Sequence, residues 1–290
     1  MEWKSIAENI GSKYEDVQRR RTVMLTQTKG QHCYLDMYLR PNATPSIAWL
    51  HQIVQDCIED AGPTIVYRHL SDTQTGYCID FLLDESHTSV SMHNDGSFSM
   101  DCFTCGDSNP QKILNSVMCN VVQNFPLASS EGVKYNWVRR FHESKTTKTI
   151  GLLEARKDST KAMHSFFDIT NFKPAEETAS NGAWLIDVMA TALAEVMGKP
   201  VDTVHAKNVQ LPLPGADSPP GFTNLVSCNG ARVTSHAYED VGMVAIDVYG
   251  PCDAKLVSEK ICEAIETEKG GHVSRMHVVS RLDANTYFLG

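Results

Sequence analysis

One half of this chain echoes the other, and that repetition limits the folds open to it. The stretch from Gly30 to Tyr38 (GQHCYLDMY) and the stretch from Gly182 to Met189 (GAWLIDVM) each read as an apolar strand carrying one acidic residue, Asp36 and Asp187. Further on, Ser99-Met100-Asp101-Cys102-Phe103 is echoed by Ala245-Ile246-Asp247-Val248-Tyr249. The acidic pairs lie about 150 residues apart in a chain of 290, the spacing of a duplicated unit.

The order of elements within each half agrees with that reading. In the first, helical periodicity covers 47–61 through Trp49, Ile53, Val54, Cys57 and Ile58. Strand-like runs follow around 65–67, 77–83, 88–92 and 97–103. A second helix is expected from Pro110 to about Val122, with Asn109 as its cap. In the second half, Trp184 to Met189 reads as a strand leading into a helix at 191–197. Strands are expected at 203–210, 224–228, 232–236 and 243–249, then a helix at 254–267 with Leu256, Val257, Ile261 and Ile265 on one side. The fold class is therefore α+β, two tandem sheet-plus-helix units packed as an αββα sandwich. The expected organisation is a charged helical arm at 1–25, a first unit at 26–125, a polar join at 126–178 and a second unit at 179–290. Within the last, 212–220 is a Pro- and Gly-rich loop.

Composition narrows the partners. A net charge of −9 makes a phosphate backbone a poor ligand, so no nucleic acid is expected, and a small cationic substrate suits the chain better. Nine cysteines without a small-scaffold spacing read as reduced thiols and a cytoplasmic location. Neither a signal peptide nor a membrane span is read from the sequence.

The sharpest chemical signal is Asp84-Glu85-Ser86-His87, followed nineteen residues after Ser86 by Cys105 in Asp101-Cys102-Phe103-Thr104-Cys105-Gly106-Asp107. A Glu-Ser pair alone is a common surface turn, and a lone cysteine is more often a structural thiol. Cys102-x-x-Cys105 has no second pair to make a metal site, and strand alternation puts the two thiols on opposite faces, so no metal is expected. Taken together and in order, the two segments resemble the self-cleavage site and catalytic cysteine of the pyruvoyl-dependent S-adenosylmethionine decarboxylases. The resemblance covers about 30–125 well and about 180–285 more faintly.

It implies a proenzyme. Ser86 attacks the carbonyl before it, the amide becomes an ester, and elimination releases Glu85 as a new C-terminus and leaves dehydroalanine, which hydrolyses with loss of ammonia to a pyruvoyl group in place of Ser86. That cofactor forms a Schiff base with an amino-acid-type substrate and draws electrons as carbon dioxide leaves. Cys105, expected to be partly exposed, then returns a proton. Bacterial family members are dimers whose sites also take a serine and a histidine from the partner. When the second half is aligned on Asp247, His236 falls on that histidine and Thr223 on that serine. Gly230-Ala231 replaces the cleavage pair there, and Pro251 the cysteine. The first half shows the reverse pattern, with Cys78 and Ser91 in the serine and histidine positions. Such complementary loss implies one composite site per chain and leaves a homodimer open.

The substrate pocket departs further from the family. Asp217 stands where an adenine-stacking phenylalanine belongs, with Phe222 as a substitute. Tyr238-Glu239-Asp240 stands near the ribose-binding glutamate. S-adenosylmethionine is the first expected substrate, for polyamine synthesis. The acidic set Asp217, Glu239 and Asp240 keeps ornithine or arginine open, and a non-catalytic regulatory homologue is the reading from outside enzymes.

Overall fold

The computed structural model describes residues 30–84, 86–105, 108–128, 133–140, 148–150, 162–172, 181–211, 221–238, 242–269, 271–273 and 276–282. The first half runs β1 (Gln31–Tyr38), α1 (Ile47–Ala61), β2 (Ile65–Thr73), β3 (Gly76–Leu83), β4 (Ser86–His93), β5 (Ser97–Thr104), α2 (Pro110–Asn124), β6 (Val133–Arg139) and β7 (Lys148–Ile150). The second runs β8 (Ala162–Thr170), α3 (Asn181–Met197), β9 (His205–Leu211), β10 (Gly221–Cys228), β11 (Ala231–Tyr238), β12 (Met243–Gly250), α4 (Ala254–Lys269), β13 (His272–Val273) and β14 (His277–Arg281).

Both sheets are antiparallel and their strand orders correspond. The first is β2-β3-β4-β5-β1-β6-β7. The second is β9-β10-β11-β12-β8, with β13 and β14 both on the far edge of β8. The correspondence extends to residues. Cys78 of β3 lies opposite Ser91 of β4, and Thr223 of β10 lies opposite His236 of β11. His32 and Val138 pair across β1 and β6, as His164 and Val279 do across β8 and β14.

Each helix pair covers the outer face of one sheet. Leu50, Val54 and Ile58 of α1 and Ile113, Val117 and Val121 of α2 pack on Leu35, Phe81 and Met100. Leu185, Met189 and Leu193 of α3 and Val257, Ile261 and Ile265 of α4 pack on Phe167, Val226 and Ile246. The helix boundaries have local causes. Ser46 accepts a hydrogen bond from the Trp49 amide at the start of α1, Gly62 ends that helix at φ 108°, and Asn109 caps the Pro110 start of α2. The result is the α+β sandwich expected, with helices outside and the sheets facing inward.

Two expectations about the second half need correction. Trp184–Met189 is not a strand but lies inside α3, and the counterpart of β1 is β8. A short apolar run cannot be told from a buried helical segment by its pattern alone, and Leu185, Met189 and Leu193 recur at helical spacing. The stretch 126–178, expected as a join, contains β6, β7 and β8 and so supplies strands to both sheets. The arm at 1–25 lies outside the described residues.

The inner faces are unusual for a core. Period-two alternation sends His32, Asp36, Asp80, His87, Ser91 and Asp101 inward from the first sheet, and His164, Asp168, Thr223, Arg232, His236 and Asp247 inward from the second. All are buried. Buried charge is tolerated only when paired; Arg232 meets Asp80 and Asp101, and two further arginines pair reciprocally across the halves. Arg140, at the end of β6, donates from Nε to Asp168 (2.7 Å), from Nη1 to Asp247 (2.8 Å) and from Nη2 to the carbonyls of Phe167 (2.8 Å) and Ile246 (3.1 Å). Arg281, at the end of β14, donates from Nε to Asp36 (2.9 Å) and from Nη2 to Ser99 (2.8 Å) and the carbonyls of Leu35 (3.2 Å) and Met100 (3.0 Å). Each arginine also meets the histidine of its own half, His32 for Arg140 and His164 for Arg281. Each half thus closes the other's buried carboxylates.

Candidate active site

Ser86 is the first residue of β4. It pairs with Leu83 of β3 and with Thr104 of β5, so positions 84 and 85 alone connect β3 to β4. Cys105 follows Thr104 directly, so the two ends of the motif lie on neighbouring strands, but Ser86 has the parity of Val90 and Met92, which face the helices, whereas Cys105 packs toward the second sheet. Ser86 is 1 % exposed and Cys105 3 %, so the cysteine is buried rather than partly exposed as expected. Cys105 packs with Phe103, Ala245 and Tyr238 in a small cluster shared by both sheets. Cys102 lies in the core under α1 and α2, on the opposite face.

The second sheet contributes His236 and Thr223. Their side chains are hydrogen-bonded, Thr223 Oγ1 to His236 Nδ1 at 2.9 Å. The other nitrogen of His236 is 2.9 Å from Nδ1 of His87, the residue after Ser86, and the two rings stack at 5.2 Å and 5°. His87 Nε2 meets Asp101 at 3.0 Å, and Arg232 holds the other oxygen of that carboxylate at 2.5 Å. The sequence motif included His87 and Asp101 without giving them roles, and Arg232 carried no signal at all.

Burial sets the electrostatics. It lowers the pKa of His236 well below the ordinary histidine value, and the neighbouring His87 adds to this. For Asp101 burial pushes upward, but Arg232 and then His87 outweigh it and hold the carboxyl well below the usual carboxylate range. Burial lowers His32 and His164 as well. Donor atoms of His32, His87 and Asp101 lie within 4.8 Å of one another, as do those of His32, His164 and Asp247. Each carboxylate is already answered by an arginine, so the charge a metal ion would bring is supplied by protein.

The remaining sequence candidates divide. Tyr238 packs beside Cys105. Phe222 does not face the site: it is one residue from inward-facing Thr223, so the pleat turns its ring outward into the core under α3 and α4. Glu85, Asp217, Glu239 and Asp240 lie outside the described residues. Opposite this array, the corresponding positions of the other half hold Cys78 and Ser91, whose Sγ and Oγ are 3.4 Å apart.

The family model of S-adenosylmethionine decarboxylase matches residues 31–123, the stretch that holds Ser86, His87, Asp101 and Cys105. Residues 31–123, about a third of the chain, are thus similar to the S-adenosylmethionine decarboxylase family. No match is found among curated proteins. Among solved structures, the chain is similar to the adenosylmethionine decarboxylase of Aquifex aeolicus VF5, at 16 % identity and TM-score 0.31, over 47 % of this chain and 99 % of that one. It is also similar to a protein of unknown function from Galdieria sulphuraria, at 11 % identity and TM-score 0.20, over 86 % and 97 % of the two chains. The S-adenosylmethionine decarboxylase match ends before β6, so the second half enters the argument through its geometry alone. Among the described residues no helix is long and apolar enough to cross a membrane.

Proposed function

We propose that the chain is a self-processing pyruvoyl-dependent decarboxylase of an amino-acid-type substrate, S-adenosylmethionine first, cut between Glu85 and Ser86. The observation that carries this reading is the bond from His236 to His87, which sets the Thr223–His236 pair of the second half against the residue that follows Ser86. The two halves, by duplication and complementary loss, form one composite site within a single chain. The mirror positions Cys78 and Ser91 offer no histidine and so no second site.

Ser86 suits the cofactor because it is buried and fixed on both sides by strand pairing, which keeps a reactive carbonyl dry. Its hydroxyl attacks the carbonyl of residue 85. The amide becomes an ester, a base removes the Ser86 α-proton, the carboxylate of Glu85 leaves, and the dehydroalanine that remains takes up water and releases ammonia to become the pyruvoyl group. His236 with Thr223 handles protons in that sequence. A pyruvoyl group at this position supplies an electrophilic carbonyl that takes up a substrate amine and accepts electrons as carbon dioxide departs. Cys105, packed against Tyr238, returns a proton to the product carbon.

The test is intact mass of the purified protein, alone and after borohydride with S-adenosylmethionine, ornithine or arginine. The expected result is two fragments of 85 and 205 residues, the larger trapping one amine and so naming the substrate. A chain that stays whole on prolonged incubation would overturn the reading in favour of a regulatory homologue.

A further inference from the structure

Four buried groups stand in one line across the two sheets: Thr223 Oγ1 to His236 Nδ1 (2.9 Å), His236 Nε2 to His87 Nδ1 (2.9 Å), and His87 Nε2 to Asp101 Oδ2 (3.0 Å). Proton direction along the line follows from its end. Asp101 is ionised beside Arg232 and can only accept, so His87 donates from Nε2. Arg232 lies between this carboxylate and that of Asp80, 3.5 Å from its Nε. Where His87 accepts at Nδ1, His236 donates from Nε2, and the free Nδ1 of His236 accepts the hydroxyl proton of Thr223. Around His87 stand Thr234 at 3.4 Å, the ring of His32 at 6.1 Å and Phe103 at 6.1 Å.

We propose that His87 is a positioning residue for maturation: it selects the Nε2–H tautomer of His236 and so presents Nδ1 as the base at Thr223. The proposal rests on the self-processing reading above. The logic is that of a hydroxyl–histidine–carboxylate triad, with a second imidazole between histidine and carboxylate. The other half shows what losing that imidazole does. By strand register the residue corresponding to His87 is Arg232, since His87 and Arg232 lie opposite Phe103 and Tyr249 in the paired sheets. Arg232 donates to Ser91 at 2.9 Å, where His87 meets His236. A guanidinium only donates, so it cannot accept and pass on a proton there. One array is a relay and its mirror is plugged by the same arginine that anchors the relay's carboxylate.

Two measurements test this. Nitrogen-15 NMR of the histidine rings near pH 7.5 is expected to show His87 and His236 both protonated at Nε2 and bare at Nδ1. A proton on Nδ1 of either ring overturns the proposal. The second is the rate of chain cleavage. His87→Ala is expected to slow it about 100-fold, the cost of a misplaced catalytic group. His87→Asn, whose side-chain oxygen can still accept from His236 Nε2, is expected to recover most of that loss. Equal rates for His87→Ala and wild type, or His87→Asn no faster than His87→Ala, sink the positioning role. A wild-type chain that never cuts sinks the self-processing reading itself, and the NMR tautomers distinguish the two failures.

Discussion

Cys105 and Cys102 show how one residue of offset decides chemistry. Cys102 faces the helices, where burial pushes its thiol up to about 12, and it accepts a hydrogen bond from Thr88. Cys105 faces Tyr238 and the second sheet. Cys105→Ala is therefore expected to leave fragment formation intact on gels and lower decarboxylation roughly 10²–10⁴-fold, the usual span for a lost proton donor. Cys102→Ala should leave turnover near wild type and lower the urea midpoint instead. At this scale Thr223 and His236 were named through the family resemblance alone, and the structure sets them opposite each other on β10 and β11. Phe222 was misread because the aromatic ring the pocket needed was sought by type, while the pleat had already assigned that position to the other face. Arg232 was invisible, since nothing local distinguishes an inward arginine on a strand from a solvated one.

Between elements, the arginines at the ends of β6 and β14 are what the sheets hold in common. Arg281 uses Nε, Nη1 and Nη2 together, so the geometry is that of a guanidinium and not of a point charge. Arg281→Met leaves Asp36 buried without its partner and is expected to cost about 3–5 kcal/mol in urea denaturation. Arg281→Lys should recover only a minor part of that, and a full recovery would show that charge alone matters. Strand ends carry a second prediction. A Cβ at Gly221 would lie 1.9 Å from the carbonyl oxygen of Ala237, and one at Gly76 1.9 Å from that of Met92, at equivalent places in the two halves. Gly221→Ala should shift β10 against β11 and slow chain cleavage, because Thr223 and His236 are fixed by that pairing. Among the described residues, most strands and three of the four α-helices could be read from periodicity. β8 could not, because its inward His164, Phe166 and Asp168 mix types that usually mark different faces. Without β8 the apolar run at 184–189 was the next candidate for its place.

Across the whole molecule, the polar layer makes stability depend on pH. Burial lowers the pKa values of His32, His164 and His236 below the ordinary 6.5, so these rings stay neutral in the fold while the unfolded chain takes up protons below that pH. The stability they permit is present above about 6.5 and is lost as pH falls, at up to about 1.4 kcal/mol per unit for each ring. Asp101 and Asp247, held low by arginines, contribute losses only below the ordinary carboxylate range. Urea midpoints at pH 7.5 and 5.5 should therefore differ, with the lower value in acid, and equal midpoints would place these rings in contact with water. The strand order has a last consequence. β1 lies between β5 and β6, while β3 lies beside β4. A cut after residue 85 puts β1, β2, β3 and α1 on one piece and both neighbours of β1 on the other. The small piece then supplies β2 and β3 at one edge of the sheet and β1 in its interior, with Asp36 still gripped by Arg281. Maturation would turn one chain into two that cannot be drawn apart without unfolding both.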